Sequence, residues 1–281
     1  MCDGQEPQQV VVAWLKCKVW ILLENYEYSV VEPGTSAYAD YLALRHDVFC
    51  AELGRIAPDG RHLSGLSIET DDYDVHSLHV LCRVKATGRP AGCSRLILPG
   101  PNGLNVSARY KLAGKLDLPE ARVGEIGRLA LATMLRRVRS DASGAGLRQR
   151  VVTTGHDSIH SMLKREGPVV ALGLYREIFN LANRYGITHC YAAMEPALAR
   201  LLNRLGFPFL EAGPLNGNVS PARQPYLIGA QSVREGLAAR NSCLYQFMFG
   251  GVESPRQALH TEAAWSISGE AGAYQDAGLH I

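Results

Sequence analysis

The chain has 281 residues, 47% hydrophobic and 20% charged, with a formal net charge of +2. This is enough for one large domain or two small ones with a full core, and so even a charge balance gives no global pull toward nucleic acid. The seven cysteines (Cys2, Cys17, Cys50, Cys82, Cys93, Cys190 and Cys243) are scattered, with no C-x-x-C pair. Neither a disulfide framework nor a zinc site follows from them. Each reads as a small buried hydrophobe, and the set fits a reducing, cytoplasmic compartment.

The first feature in chain order is the apolar run VVVAWLKCKVWILL (10–23). It falls short of the roughly 20 apolar residues a membrane span needs, and Lys16 and Lys18 interrupt it. It lacks the leading charge and trailing small-residue site of an export signal. A buried or interfacial segment is expected, with weak peripheral contact at the inner membrane as the alternative. YEYSVVE (26–32) reads as a strand. TSAYADYLALRHDVFCAELG (35–54) reads as one helix, capped by Thr35 or Ser36 and stopped at Gly54. Leu44, Val48, Phe49 and Leu53 recur at helical spacing, and Arg45 shares the face of Phe49. An arginine beside a core stripe either snorkels to water or is held by acids.

Residues 55–70 read as a polar loop. SLHVLCRVK (77–85) and AGCSRLILPG (91–100) form a hairpin around TGRP, and RVGEIGRLALA (122–132) is a third strand. Composition then shifts: LRRVRSDASGAGLRQR (135–150) is basic and glycine-containing, and 151–167 follow without strong periodicity. This stretch, about 135–167, is expected to be an insertion. A helix runs from Pro168, which suits its first turn, to Gly186. Its aromatic stripe, with Tyr175 and Phe179, is either core or the lining of an acyl-chain tunnel. ITHCYAAM (187–194) is a strand, 195–207 a helix ending at Gly206, and 207–214 and 224–230 are strands. Residues 251–281, rich in Ala, Gly and Ser, are expected to be a poorly ordered tail. The expected fold is α/β (α+β), a single domain over 25–250 with a mixed, largely antiparallel sheet flanked by helices, preceded by an apolar segment at 1–24.

Several charges fall where apolar residues are expected. ETDDYD (69–74) places Glu69, Asp71 and Asp74 just before a strand. Arg95 stands mid-strand in GCSRL, and Glu125 and Arg128 stand mid-strand in EIGR. Three residues apart on a strand, the last two point to opposite faces unless a bulge intervenes, and Gly127 suits a bulge. Lone charges in strands are costly unless paired. Arg45, Arg95 and Arg128 are therefore expected to meet Glu69, Asp71, Asp74 and Glu125 in one network; exposed edge-strand charges are the other reading.

LRHDVFCAELG, ETDDYD, GCSRLILP and EIGRLAL stand in the order and spacing of acyl-homoserine-lactone synthases, members of the GCN5-related N-acyltransferase (GNAT) superfamily. The segment LGLYREIFNLANRYGITHCYAAMEPALARLLNRLGFPF, followed by GP and RQPYLIG, resembles bacterial N-acyl amino acid synthases and the acyltransferases of PEP-CTERM/exosortase systems. The resemblance covers roughly 20–232 in pieces, and the order of its motifs is more specific than any one. It implies a GNAT-like sheet, with Arg45 and Phe49 shaping the amine-substrate pocket, Asp71 and Asp74 as the paired acids, and Arg95, Glu125 and Arg128 on the strands of the active site. There are two departures. Arg55 stands where the lactone synthases carry a tryptophan. LNGNVSPARQPY lacks the histidine that often precedes the R-x-P-Y element of the amino-acid branch.

The reaction so implied moves a long-chain fatty acyl group from a thioester to the amine of an amino acid. The amine must lose a proton, for which Glu125 is the expected base, with Asp71 or Asp74 as alternatives. The oxyanion is expected to meet a backbone N–H at a bulge near Gly127. The acceptor carboxylate calls for an arginine fork, from Arg45, Arg55 or Arg128. The donor implied is an acyl-phosphopantetheine thioester, on acyl carrier protein or as acyl-CoA, with no tightly bound cofactor. Arg136, Arg137 and Arg139 head a basic stretch, with Arg148 and Arg150 beyond, that suits an acidic carrier protein or is a solvated loop. His156 and His160 are four apart, but no third ligand is evident and no metal is expected. The alternatives are a lactone (autoinducer) synthase, a coenzyme A-dependent acetyltransferase, and a non-catalytic acyl- or lipid-binding protein on the same fold.

Overall fold

A computed structural model of the chain describes residues 24–113, 119–136, 166–218 and 220–250. The helical elements are α1 (Ser36–Arg45), α2 (Asn105–Arg109), α3 (Thr133–Arg136), α4 (Glu166–Arg184), α5 (Pro196–Leu205), α6 (Ala230–Arg240) and α7 (Ser242–Phe249). The strands are β1 (Tyr26–Val31), β2 (His62–Leu63), β3 (Leu66–Ser67), β4 (Ser77–Val84), β5 (Pro90–Ile97), β6 (Val123–Leu131), β7 (His189–Met194), β8 (Leu210–Glu211) and β9 (Gln224–Gly229). Seven of them form one sheet in the order β1-β4-β5-β6-β7-β9-β8. Among the described residues only β6 and β7 pair in parallel; a parallel pair needs a long crossover, and that crossover carries α4.

Alternation along the strands divides the core between two faces. On β4, Val80 and Cys82 pack with the α4 residues Val170, Leu174 and Ile178. Leu81 faces the other way and joins Tyr41, Leu42 and Phe49. The predicted fold class is the one observed: a mixed, mostly antiparallel sheet with helices on both faces.

The details differ where local signals were thin. The helix expected over 35–54 is capped by the Thr35 hydroxyl, which accepts from the Tyr38 N–H at 3.1 Å, but it is α-helical only to Arg45. Over His46–Glu52 it widens into π-helical turns, closed by Leu53 N–H donating to the Val48 carbonyl five residues back. The loop over 55–70 contains the small β2–β3 hairpin. The strand expected at 207–214 shrinks to two residues, because Phe207 and Phe209 turn into the core. Residues 231–250, unassigned from sequence, form most of α6 and all of α7. α6 buries only Val233 and Leu237, and α7 reads SCLYQFMF with no charged face, so neither shows a clear helical stripe. Among the described residues no helix is long and apolar enough to cross a membrane, and none of their His, Cys, Asp and Glu side chains groups as a metal site. The 10–23 segment, His156 and His160 lie outside the described residues.

Candidate active site

The charged set assembles beneath the sheet on the α1 face. Arg45 is wholly buried; its Nε donates to Glu69 and its Nη1 to Asp74, both at 2.6 Å. Arg95, equally buried, donates through Nη1 and Nη2 to the two oxygens of Asp71, and through Nη1 to Asp74, all at 2.6 Å. Arg128 grips Glu69 at 2.9 Å and Asp71 at 2.7 Å through Nη2. Three guanidiniums and three carboxylates thus neutralise one another out of water, which makes their burial tolerable. Burial works against charge on each acid, but the arginines outweigh it. Glu69 and Asp74 are held below the ordinary carboxylate range, and Asp71 is brought to about 2.

A bulge makes the third grip possible. Cys93 pairs with Ala130 and Arg95 with Gly127, so Ser94 alone on β5 faces both Arg128 and Leu129 on β6. This turns Arg128 onto the face of Arg95, where both hold Asp71. The left-handed residue is Arg128, at φ 50°; Gly127 is not in that region. A non-glycine residue there carries strain of about 1–3 kcal/mol, offset by the ion pairs and by the stacking of the guanidinium 5.7 Å from the Phe49 ring centroid.

Glu125 stands apart from the network it was expected to join. Its carboxylate, 3% exposed, accepts from Asn105 Nδ2 at 3.0 Å and from the Val106 backbone N–H at 2.7 Å. Burial raises its proton affinity, against those two bonds and the nearby charges of Arg95 and Arg128. It ties β6 to α2, whose last residue is Arg109.

A cavity lies where the sheet forks. β6 and β7 pair only over Val123–Glu125 and His189–Tyr191. Beyond that they part, and Ile126–Leu129 on one side and Ala192–Met194 on the other border a cavity of about 760 Å³. Tyr175 and Leu198 extend its apolar wall, while Arg55, Arg109, Arg128, Arg223 and Glu195 supply charge. Of the residues the sequence proposed, Phe49, Arg55, Gly127 and Arg128 reach this wall. Arg45, Arg95, Asp71, Asp74 and Glu125 do not border it; the first four form the network behind Arg128. Arg136 ends α3, and Arg137 and Arg139 lie outside the described residues. Sequence reasoning passed over Arg109, Tyr110 and Glu195, and gave Arg223 no role. α2 is too short to show periodicity, and the last two stand beside turns whose path the sequence does not set.

Residues 44–143 match the family model of the acetyltransferase (GNAT) domain. Among solved structures, TofI in a ternary complex with an inhibitor and MTA is 21% identical, with 75% of this chain and 96% of that one covered and a TM-score of 0.51. The CoA-dependent acyl-homoserine lactone synthase BjaI with MTA is 16% identical, with 76% and 89% covered and a TM-score of 0.50. FeeM, an N-acyl amino acid synthase from uncultured soil microbes, is 13% identical, with 76% and 96% covered and a TM-score of 0.46. No curated relative matches the chain. The family match spans α1's end, the acidic turn, the bulged strand and its partner, which build the charged network and one side of the cavity; over those residues the chain is similar to an acetyltransferase (GNAT) domain, and the solved structures share its fold.

Proposed function

We propose that this chain transfers a long-chain fatty acyl group from an acyl carrier protein thioester to the amine of an amino acid, giving an N-acyl amino acid, and that 25–250 is its catalytic unit. The observation that carries this is the fork cavity. Its volume is that of a small-molecule site, and its wall joins an apolar side suited to a fatty chain with an arginine-rich side suited to an anionic acceptor. The diverging edges of β6 and β7 suit the amide-bearing arm of a phosphopantetheine thioester, which can pair with open strand edges as a peptide does. The basic stretch that includes Arg136, Arg137 and Arg139 suits the carrier protein. Both substrates are cytoplasmic, and so is the assigned reaction; the bacterial exosortase setting rests on the sequence resemblance.

In this mechanism the amine nitrogen attacks the thioester carbonyl carbon. The oxyanion is met by backbone N–H groups of β6 around Gly127. The C–S bond breaks, and the thiolate leaves and takes a proton. Asp71 and Asp74 make poor bases, because the arginines stabilise their charged forms. Glu125 suits the role better: burial raises its proton affinity, and, although its carboxylate lies behind the cavity wall, it directly precedes Ile126 and Gly127 of that wall; the proposed route for the amine's proton runs to it through one water.

Mass spectrometry of lipid extracts from cells expressing the chain, beside cells expressing Glu125→Gln, tests this. New N-acyl amino acids with the intact chain, falling about 100-fold or more with the variant, are expected. New lactones in their place would assign the chain to the autoinducer branch. With donor and acceptors supplied, no acylated amine at all would refute the transferase reading.

A further inference from the structure

We propose that Arg109 and Arg223 hold the acceptor's carboxylate, so that the enzyme selects α-amino acids by their acid group; this rests on the N-acyltransferase reading above. Four arginines border the fork cavity. Arg128 is committed to Glu69 and Asp71, and Arg55 lies 3.7 Å from Glu195. Arg109 and Arg223 have no acidic partner within 4 Å among the described residues. A pair of such guanidiniums on one cavity rim is a ready receptor for a carboxylate.

The rim is built rather than incidental. Arg223 is fixed at the neck of the 216–223 loop by two backbone bonds with Asn216, of 2.8 and 3.2 Å. The segment that follows Arg109 is stitched to the β8–β9 connection by the Ala113 N–H, which donates to the Ala212 carbonyl at 2.7 Å. These segments approach so closely that a Cβ on Gly213 would lie 2.2 Å from the Lys111 carbonyl oxygen. Glu125 fixes the other end of α2 through Asn105 and Val106. The two arginines therefore reach the cavity from segments locked to each other and to β6.

Tyr110 decides between the acceptor's carboxylate and the donor's phosphate. It borders the cavity beside Arg109, and its phenol feels the charges of Arg223, Arg109 and Glu125 together. Burial first of all keeps that phenol protonated, so it is a donor to an anion. Arg109, Tyr110 and Arg223 border one cavity, and Glu125 is bonded to the start of the short helix that Arg109 ends. An α-amino acid carries its carboxylate one carbon from its amine, so an anchor for the acid must stand close to the base. The donor's phosphate is separated from its thioester by the whole pantetheine arm and belongs at the far end of that arm. Arg45, the residue the sequence offered first for this task, is buried and spent on Glu69 and Asp74.

The test uses the purified full chain with acylated acyl carrier protein as donor. Amino acids identified in the lipid extracts are compared with the amines left by their decarboxylation. The intact chain is expected to prefer the acid. Arg109→Ala and Arg223→Ala should each raise the KM for the amino acid by roughly 10-fold to 100-fold, as expected for a lost charged hydrogen bond, and leave the donor's KM and the rate with the amine unchanged. Arg223→Lys should restore part of the loss, since it keeps the charge without the fork. A raised donor KM with an unchanged amino acid KM would place the phosphate at this pair and overturn the proposal, and so would equal use of acid and amine by the intact chain. If the intact chain acylates no amino acid, the N-acyltransferase reading fails before any variant is compared, and the proposal falls with it.

Discussion

Arg45 shows what a buried charge costs and what it secures. Its guanidinium lies among Glu69, Asp74 and the Tyr41 ring, 5.4 Å from the ring centroid. Arg45→Met keeps much of the volume but leaves both acids short of a partner. It should cost about 3–5 kcal/mol of stability, read as a lowered urea midpoint. His79 sits beside this network, between the rings of Tyr38 and Tyr41, with Nε2 donating to the Asp74 carbonyl at 3.2 Å. Burial, with the charge of Arg45 and against that of Asp74, lowers it from 6.5 to about 4. Between those values the unfolded chain binds a proton that the fold refuses. Stability therefore falls as pH drops through that window, by about 3 kcal/mol for this group. The three acids act in the same direction lower down. Their stabilisation is full above their ordinary values of 4.5 for Glu69 and 3.8 for the aspartates, and it is lost as pH falls through the depressed ones, near 2 for Asp71. His79→Gln should remove the upper arm and keep the lower one. Urea midpoints at about pH 7 and about pH 5 should differ for the parent chain and nearly coincide for the variant.

The elements are held in register by close approaches as much as by ladders. α4 crosses β1 where a Cβ on Gly173 would lie 2.2 Å from the Tyr28 ring, and the Tyr28 hydroxyl donates to the Val170 carbonyl at 3.3 Å. Gly173→Ala should therefore cost about 1–3 kcal/mol by overpacking. Tyr28→Val in the same chain should cancel part of that loss, and a double-mutant cycle on denaturant midpoints measures the coupling. The Gly213–Lys111 approach acts on function. Gly213→Ala should push the segment bearing Arg109 off the rim and raise the amino acid's KM about 10-fold, with the donor's KM unmoved in steady-state assays. The β6 bulge belongs to the same scale: without its extra residue, Arg128 would point away from Asp71, and the network would lose the arginine that reaches the cavity.

At the scale of the whole molecule, the decisive feature is one parallel pair in an otherwise antiparallel sheet. β7 returns beside β6 after the α4 crossover, meets it over three residues and then diverges, and the opening lies between the apolar wall of the core and the polar rim of α2 and the 216–223 loop. Ala193 stands on that wall. Ala193→Phe should fill the fork and reduce turnover by about 100-fold through misplaced substrate. The thermal midpoint should change little, because the added ring enters open space. Turnover close to that of the parent chain would mean that the acyl group does not use this cavity.

The sequence by itself determined the order of the main sheet's strands and of α1, α4 and α5, because hydrophobic periodicity and turn residues are local signals. It also offered Glu69, Asp71 and Asp74 as partners of Arg45, Arg95 and Arg128, because charges set inside apolar elements must find opposite charges, but it left exposed edge-strand charges open as the other reading and counted Glu125 into the network. Phe49 and Arg55 were legible through the family resemblance alone, Phe49 as its matching aromatic and Arg55 as the residue in place of its tryptophan, and both border the cavity. Tertiary structure alone decided that Glu125 faces Asn105 and Val106 instead of the arginines, since that choice depends on where the chain returns after β5. It alone decided that Arg128 takes the left-handed place in the bulge beside Gly127. It also decided that Arg109, Tyr110 and Arg223 share one rim: they come from segments more than a hundred residues apart, and only the meeting of 111–113 with 212–213 brings them together.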